Sequence, residues 1–275
     1  MAVGVASALP NSSSNAAMRL DFMCCSSSNG DGSVARLAAP CETVGDDAAA
    51  SGRTMEGKRA VVNGAPRRVA LFGGSFDPPH RGHDALVRAA LRLLEPERLL
   101  VVPALVPLHR RLSGRVGPER RLAWLRALWR DLPEVEVVDW ERRPTPTIVT
   151  LRRFADRFPG VVPLLLLGAD AAAGMEEWVG YPEHRCWCNL ALFPRAGGEA
   201  AAPPAGWRLC TPEAWQRDPE PSGRVVRLAV RLPAVSATEV RRRARRGEAI
   251  DALVPEAIAD EIAASYGRVE RQQGA

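Results

Sequence analysis

Short apolar segments alternate with amphipathic ones from Arg68 onward, and this alternation constrains the fold more than any other feature of the sequence. Nearly continuous apolar segments are typical of strands buried on both faces of a parallel sheet, and amphipathic segments predict helices that cover those faces. The predicted strands span residues 68–74, 98–104, 135–140, 162–170 and 224–230, and the predicted helices span residues 83–94, 118–132, 147–158, 236–246 and 255–266. We therefore predict an α/β fold with a doubly wound parallel sheet and a helical C-terminal part. Such a sheet binds ligands at the carboxyl ends of its strands.

The first 66 residues differ in composition from the rest, because Ser, Ala, Gly and Asn dominate them and apolar periodicity is absent. A segment of this composition buries too little apolar surface to offset the entropy lost on ordering. We interpret residues 1–66 as a disordered or artefactual extension, and the sequence leaves open a transit peptide or a natural start at Met55. Residues 67–268 form the predicted functional domain, residues 269–275 a disordered tail, and residues 194–223 an irregular insertion rich in Pro, Gly and Ala.

Positive charge in this chain is carried almost entirely by arginine, since Lys58 is the only lysine. A phosphate loop of the G-x-x-x-x-G-K-[ST] type needs a lysine after its second glycine, so P-loop chemistry is excluded. Any phosphate must be bound by arginine, histidine, hydroxyl groups or backbone N–H groups. The net charge of +5 and pI of about 9.2 raise the alternative of a nucleic-acid-binding protein, but no recognised motif for it appears.

The six cysteines show no regular disulfide framework, so we expect reduced thiols in a cytoplasmic protein. His184, Cys186 and Cys188 lie close together, but no second pair of ligands completes a zinc site at the usual spacings. We therefore predict no protein-built metal site. No stretch approaches 18 consecutive apolar residues, so we also predict no membrane-spanning helix.

The segment from Gly73 to His83 joins the first predicted strand to the first predicted helix, and it is the strongest candidate for a ligand site. Glycines let a ligand approach the backbone closely, and a helix N-terminus offers unpaired N–H groups with a partial positive charge that suits phosphate. His80 and His83 are three residues apart, which turns both imidazoles toward one side of the helix. Each ring can donate a hydrogen bond to a phosphate oxygen.

A second candidate phosphate site lies at the start of the helix predicted over residues 236–246. Ser236 and Thr238 provide hydroxyl groups at this helix start, and Arg241 provides a planar guanidinium for phosphate oxygens. The simpler alternative is that Ser236 only caps the helix. We expect Arg242, Arg243, Arg245 and Arg246 to form a solvated face.

Two further residues are candidates for binding the rest of a nucleotide. Trp178 can stack on a planar ring, although it could equally be a packing residue. Asp170, at the end of a predicted strand, can hold a ribose or a ring substituent, although it could equally be a helix N-cap.

The segment GSFDPPHRGH, residues 74–83, resembles the G-x-F-D-P-x-H-x-G-H signature of the (H/T)-x-G-H nucleotidyltransferase superfamily. This signature is shared by transferases that act on pantetheine phosphate, nicotinate mononucleotide and related acceptors. Four further segments resemble the bacterial nicotinate-nucleotide adenylyltransferases: residues 106–110 (VPLHR), residues 167–170 (LGAD) followed by Trp178, residues 235–241 (VSATEVR), and, more loosely, residues 253–256 (LVPE). Order and spacing agree from about residue 68 to residue 268, which covers the predicted domain and none of the extension.

The chain departs from that family between Glu141 and Leu151. Where the family reads S-Y-T before T-x-x-T-L, this chain reads Thr145-Pro146-Thr147 and has a short deletion. The tyrosine of the mononucleotide pocket is therefore absent, and Thr147 is the matching residue that remains.

The resemblance implies a Rossmann-like nucleotidyltransferase that transfers AMP from ATP to nicotinate mononucleotide in NAD biosynthesis, with Mg²⁺ accompanying ATP. It implies ATP and nicotinate mononucleotide as partners and neither nucleic acid nor membrane, and it leaves a homo-oligomer open. It assigns catalysis to His80 and His83, ATP binding to these two and to Gly73, Gly74, Ser75, Phe76, Ser236, Thr238 and Arg241, and acceptor binding to His109, Thr147, Asp170 and Trp178. The alternatives are a related transferase for nicotinamide mononucleotide or pantetheine phosphate, and a non-catalytic nucleotide-binding relative.

Overall fold

A single sheet of parallel strands organises the described part of the computed structural model, which covers residues 67–108, 111–194 and 202–267. Within these residues the sheet has seven strands in the order β3-β2-β1-β4-β5-β7-β6. The strands are β1 Val69–Gly74, β2 Arg98–Pro103, β3 Val135–Val137, β4 Leu164–Gly168, β5 Asn189–Phe193, β6 Arg208–Cys210 and β7 Arg224–Arg227. The predicted α/β fold with a doubly wound parallel sheet is confirmed. The predicted extension at residues 1–66 and tail at residues 269–275 lie outside the described residues.

Helices cover both faces of the sheet, as the near-continuous apolar strands predict. The helices are α1 Arg81–Leu94, α2 Pro118–Leu128, α3 Thr147–Arg157, α4 Ala169–Ala173, α5 Pro212–Arg217, α6 Ala237–Arg246 and α7 Glu256–Tyr266. Short 3-10 turns occur at Met175–Glu177 and Glu183–Cys186. No helix among the described residues is long and apolar enough to cross a membrane.

Alternate residues of the central strand β1 enter two different cores, because successive side chains of a strand point to opposite faces. Ala70 and Phe72 pack in the core shared with α1, α2, α6 and α7, whereas Val69 and Leu71 pack in the core shared with α3. All four side chains are 5% exposed or less. Both faces of β1 are therefore buried, and only its carboxyl end is left to meet a ligand.

The predicted irregular insertion at residues 194–223 is wrong over part of its length. Residues 195–201 lie outside the described part of the chain, but β6 and α5 form beyond them. Thr211 caps α5 by accepting a hydrogen bond from the Ala214 amide at 3.2 Å, and Pro212 occupies the first turn of this helix. The sequence prediction also omitted β5, a short apolar strand that pairs in parallel with β4 and β7.

The chain reverses its direction of progress across the sheet between β1 and β4. From β1 it proceeds to β2 and β3 on one side, and β4 then pairs with the other side of β1. In open α/β sheets, ligands bind in the crevice that forms at such a switch point, outside the carboxyl ends of the strands. The residues that follow β1, β2 and β4 are therefore the ones to consider for a site.

Candidate active site

The turn between β1 and α1 is built around the ring of Phe76. This side chain is 2% exposed, lies edge-on to Phe72 and His83 with centroid distances of 5.4 and 4.9 Å, and has a positive φ of 46°. A Cβ atom on Gly74 would lie 2.8 Å from the tip of this ring, so only glycine leaves room for it. Because the Phe76 ring is in the core, only the backbone of this predicted ATP-binding residue is left to meet a ligand.

The two histidines of the motif cap α1 reciprocally. The amide of Gly82 donates to Nδ1 of His80, and the amide of His80 donates to Nδ1 of His83, each at 3.2 Å. The two rings stack at a centroid distance of 3.7 Å. Since both Nδ1 atoms act as acceptors, the neutral rings carry their protons on Nε2, the atom suited to donate to an anion.

Burial keeps His80 neutral in the absence of a ligand. This side chain is 8% exposed, and its desolvation lowers the pKa to about 4. A neutral imidazole at physiological pH still donates one hydrogen bond from Nε2. His80 can therefore bind a phosphate oxygen without first taking up a proton.

Replacing Gly74 by alanine is expected to destabilise the domain by about 1–3 kcal/mol, because the added methyl group would displace the buried Phe76 ring. Gly73→Ala is the matched control, since its Cβ atom would meet only the Val102 carbonyl oxygen, at 3.8 Å. We expect this control to change stability by less than about 1 kcal/mol. Thermal and denaturant unfolding of the two variants would check the difference, and equal losses would contradict the packing argument.

Asp77 joins four separate segments of the domain, and the sequence analysis did not single it out. Its carboxylate accepts hydrogen bonds from the Ser113 amide at 2.7 Å, the Ser113 hydroxyl at 3.0 Å and the Tyr266 hydroxyl, and lies 3.9 Å from Arg241. Burial alone would raise the pKa of Asp77, but the hydrogen bonds from Tyr266 and Ser113 and the charge of Arg241 outweigh it and lower the pKa. Asp77 is therefore ionised and holds the turn in place.

The structure places the start of α6 beside the turn that joins β1 to α1, residues 75–80, where the sequence analysis predicts phosphate binding and which is called the phosphate turn below. Arg241 donates to the carbonyl oxygen of Asp77 and, at 3.1 Å, to the hydroxyl of Thr238. Ser236 caps α6 by accepting from the Glu239 amide at 3.2 Å, so its capping role is real. The guanidinium of Arg241 thus lies against Asp77, three residues before His80, and the Thr238 hydroxyl lies beside this guanidinium.

The other arginines of α6 face solvent or pair with acids at the surface. Arg242 and Arg243 both contact the Glu239 carboxylate, at 2.6 and 2.8 Å. Arg246 pairs with Glu248 at 3.5 Å. Arg241 therefore differs from these neighbours, because its side chain reaches Asp77 in the turn between β1 and α1.

A cavity of about 310 Å³ opens at the switch point next to the turn. Its walls come from β1, β2, β4, the start of α3 and the segment around Trp178. It brings together five of the residues predicted from the sequence: Gly73, Gly74, Ser75, Thr147 and Trp178. The cavity therefore has Trp178 and the beginning of the turn between β1 and α1 in its lining, whereas His80, His83, Ser236, Thr238 and Arg241 lie outside the lining.

The N-terminus of α3 forms part of this cavity. Thr147 is its first residue, the N-cap is Pro146, and no side chain caps the helix. Thr145, Pro146 and Thr147 all line the cavity. The start of α3 therefore presents two threonines and the positive end of the helix dipole to the cavity.

Trp178 lines the cavity, and its ring packs against a buried histidine. His184 is fully buried and lies edge-to-face with Trp178 at a centroid distance of 5.9 Å. Burial lowers the pKa of His184, so this ring is neutral. The thiol of Cys188 donates to the carbonyl oxygen of His184 at 3.4 Å, and burial raises the pKa of that thiol. Within the described ranges, no three His, Cys, Asp or Glu side chains are grouped so as to hold a metal ion.

Of the predicted acceptor-binding residues, Asp170 does not line the cavity and His109 lies outside the described residues. Asp170 is an exposed residue in the first turn of α4, next to the cavity residue Ala171, and the N-cap of that helix is Gly168. The alternative that Asp170 is a helix N-cap is therefore wrong. His109 lies outside the described residues, although Leu108 before it lines the cavity.

Glu141 is a cavity residue that the sequence analysis mentioned only as the start of the divergent segment. It accepts a hydrogen bond from the Thr150 hydroxyl at 2.6 Å, and its burial raises the pKa of the carboxyl group. The only signal in the sequence was an acid shortly after a predicted strand, which also describes many surface residues.

A glycine turn, two helix N-termini and a cavity at the switch point of a parallel sheet define a nucleotide-binding α/β enzyme. The family model described as cytidylyltransferase-like matches residues 71–243. The chain is 31% identical over 204 residues to a probable nicotinate-nucleotide adenylyltransferase of Thermotoga maritima, covering 73% of this chain and 93% of the relative. It is 33% identical over 203 residues to the Chloroherpeton thalassium protein of the same name, covering 72% and 96%.

The chain belongs to the cytidylyltransferase-like family and, within it, to the nicotinate-nucleotide adenylyltransferases. The fold is also that of a Plasmodium falciparum nicotinic acid mononucleotide adenylyltransferase complexed with NaAD, with a TM-score of 0.56 at 14% identity over 71% of this chain and 94% of that one. The predicted family and the prediction of a nucleotidyltransferase are confirmed.

Proposed function

We propose that this enzyme transfers AMP from ATP to nicotinate mononucleotide, giving nicotinate adenine dinucleotide and pyrophosphate in NAD biosynthesis. The observation that carries the proposal is the cavity of about 310 Å³ that runs from Trp178 to the glycine turn before His80 and His83. Its lining offers Trp178 as an aromatic platform for a pyridine ring and, at Gly73, Gly74 and Ser75, the turn that leads to the start of α1. The names of the relatives support the same acceptor.

The reaction needs no nucleophile from the protein. A phosphate oxygen of nicotinate mononucleotide attacks the α-phosphorus of ATP in line, one P–O bond forms, and the bond to the departing pyrophosphate breaks. Nε2 of His80 and Nε2 of His83 donate to the phosphate oxygens, and Arg241 and the hydroxyls of Ser236 and Thr238 bind the polyphosphate from the other side. Mg²⁺ enters as part of its complex with ATP. Catalysis consists of positioning and charge stabilisation.

The start of α3 favours the acid over the amide of the pyridine ring. The partial positive charge and amide groups of a helix N-terminus stabilise a carboxylate more than a neutral carboxamide. Since Thr147 begins this helix and lines the same cavity as Trp178, a ring stacked on the tryptophan can direct its carboxylate toward α3. The alternative acceptor remains nicotinamide mononucleotide.

Pyrophosphate release with ATP and three separate acceptors tests the proposal. We expect the highest turnover with nicotinate mononucleotide, lower turnover with nicotinamide mononucleotide and none with phosphopantetheine. Preference for phosphopantetheine would overturn the acceptor, and release with none of the three would favour a non-catalytic nucleotide-binding protein.

A further inference from the structure

Arg121 is a buried arginine of α2 that contacts backbone on both sides of the site. Its side chain is fully buried, and its guanidinium has three carbonyl oxygens as partners. Nη1 donates to Ser75 at 2.7 Å and to Ala104 at 3.1 Å, and Nη2 donates to Leu105. The sequence analysis placed this residue on a helix and gave it no role.

The three carbonyl groups belong to two loops that form neighbouring walls of the cavity. Ser75 lies in the turn that leads from β1 to His80, and Ala104 and Leu105 begin the loop after β2. Ser75 and Ala104 line the cavity, as does Leu108 further along the second loop. One guanidinium therefore fixes the spacing between the phosphate turn and the wall of the acceptor pocket.

This set of partners differs from that of an arginine held in an ion pair. Its hydrogen bonds go to backbone carbonyls, and Asp77 contributes only through its nearby charge. Burying a guanidinium is costly, and Nε of Arg121 has no hydrogen-bond partner among the described residues, so an apolar residue would pack α2 against the sheet at lower cost. What an arginine adds at this position is a set of hydrogen bonds that joins the turn after β1 to the loop after β2.

We propose that Arg121 is a positioning residue for AMP transfer, holding the phosphate turn and the loop after β2 at the separation that in-line attack requires. This inference rests on the proposed function. Each substrate keeps its own contacts when this clamp of one guanidinium on two loops is weakened, because the hydrogen bonds of Arg121 go to the backbone carbonyls of Ser75, Ala104 and Leu105. What is lost is the alignment of the attacking oxygen with the α-phosphorus, and a misplacement of about 1 Å reduces the rate about 100-fold.

The test replaces Arg121 by lysine, which keeps the charge but lacks the planar fork that serves three carbonyls at once. Arg120→Lys is the matched control, because this neighbour is exposed and its recorded hydrogen bond is to the Ser265 hydroxyl at 3.3 Å. Calorimetry with a non-hydrolysable ATP analogue and with nicotinate mononucleotide gives each Kd, and the stoichiometry gives the folded fraction. For Arg121→Lys we expect turnover per binding site to fall about 100-fold, with both Kd values within about threefold of the unmodified enzyme.

Turnover per binding site equal to that of the control would overturn the proposal, because any loss of total activity would then come only from a lower folded fraction and would mark a merely structural residue. If Arg121→Lys does not fold, Arg121→Gln takes its place with the same expected and contrary results.

Hydrogen exchange separates failure of the clamp from failure of the proposed function. In Arg121→Lys we expect faster exchange in segments 73–77 and 104–108 than in Arg120→Lys, whichever acceptor the enzyme uses. Equal exchange rates in the two variants, in both segments, would overturn the proposal that Arg121 holds the two loops together. An unmodified enzyme that does not use nicotinate mononucleotide, yet shows the faster exchange on substitution, would overturn only the proposed function.

Discussion

Replacing His83 by alanine is expected to lower turnover about 100- to 1,000-fold while leaving the domain folded, because one preorganised donor to the transferred phosphate is lost. His83 lies in the first turn of α1, stacked on His80 at a centroid distance of 3.7 Å. Its Nδ1 also accepts from the His80 amide, so some stability is lost as well, about 1 kcal/mol. Steady-state kinetics together with thermal unfolding would measure the two effects separately.

His83→Asn is the informative companion variant. The asparagine side chain retains an acceptor for the His80 amide, so it is expected to recover most of the stability without recovering the turnover. If His83→Ala were folded and turned over at a near-normal rate, the assignment of His83 to catalysis would be refuted.

Replacing Arg241 by alanine is expected to weaken ATP binding about 10- to 100-fold, since a charge-assisted hydrogen bond contributes about 1.5–3 kcal/mol. Its side chain is 16% exposed and reaches over Asp77 and Thr238 toward the phosphate turn. The effect should fall on the KM for ATP more than on the KM for the acceptor. Initial rates with each substrate varied in turn would resolve this.

Arg242→Ala is the matched control for this prediction. Arg242 is the next residue of the same helix, but its side chain is 43% exposed and pairs with Glu239 at 2.6 Å. An exposed ion pair contributes about 0–1 kcal/mol, so activity should remain close to that of the unmodified enzyme. A similar rise in the KM for ATP in both variants would mean that α6 acts only through its general positive charge.

The elements around the phosphate turn were predictable because their signals are local. A strand that ends in Gly73 and Gly74 and a helix that begins after His80 are encoded within 20 consecutive residues. The start of α6 was predictable for the same reason, since Ser236 is a capping residue followed by helix formers. Where Pro, Gly and Ala dominate the composition, the cap formed by Thr211 and Pro212 was overlooked, although it is also a local signal.

The residues that hold the site together were not predictable in this way. Arg121 meets carbonyls of Ser75 and Ala104 that lie 46 and 17 residues away in sequence. A buried arginine on a helix has the same one-dimensional pattern as an exposed one, and only the packing of α2 against the sheet distinguishes them. The same applies to Glu141, whose role in the cavity depends on the position of α3.

The hydrogen bond from Tyr266 to Asp77 spans 189 residues and joins the last turn of α7 to the loop at the start of the domain. Arg115 also contacts the end of α7, where it donates to the carbonyl oxygens of Tyr266 and Gly267. On the ribosome, the phosphate turn is therefore synthesised long before the residue that completes its hydrogen bonds. A nascent chain that ends before α7 contains the whole segment from Gly73 to His83 but lacks the hydroxyl group that Tyr266 donates to Asp77.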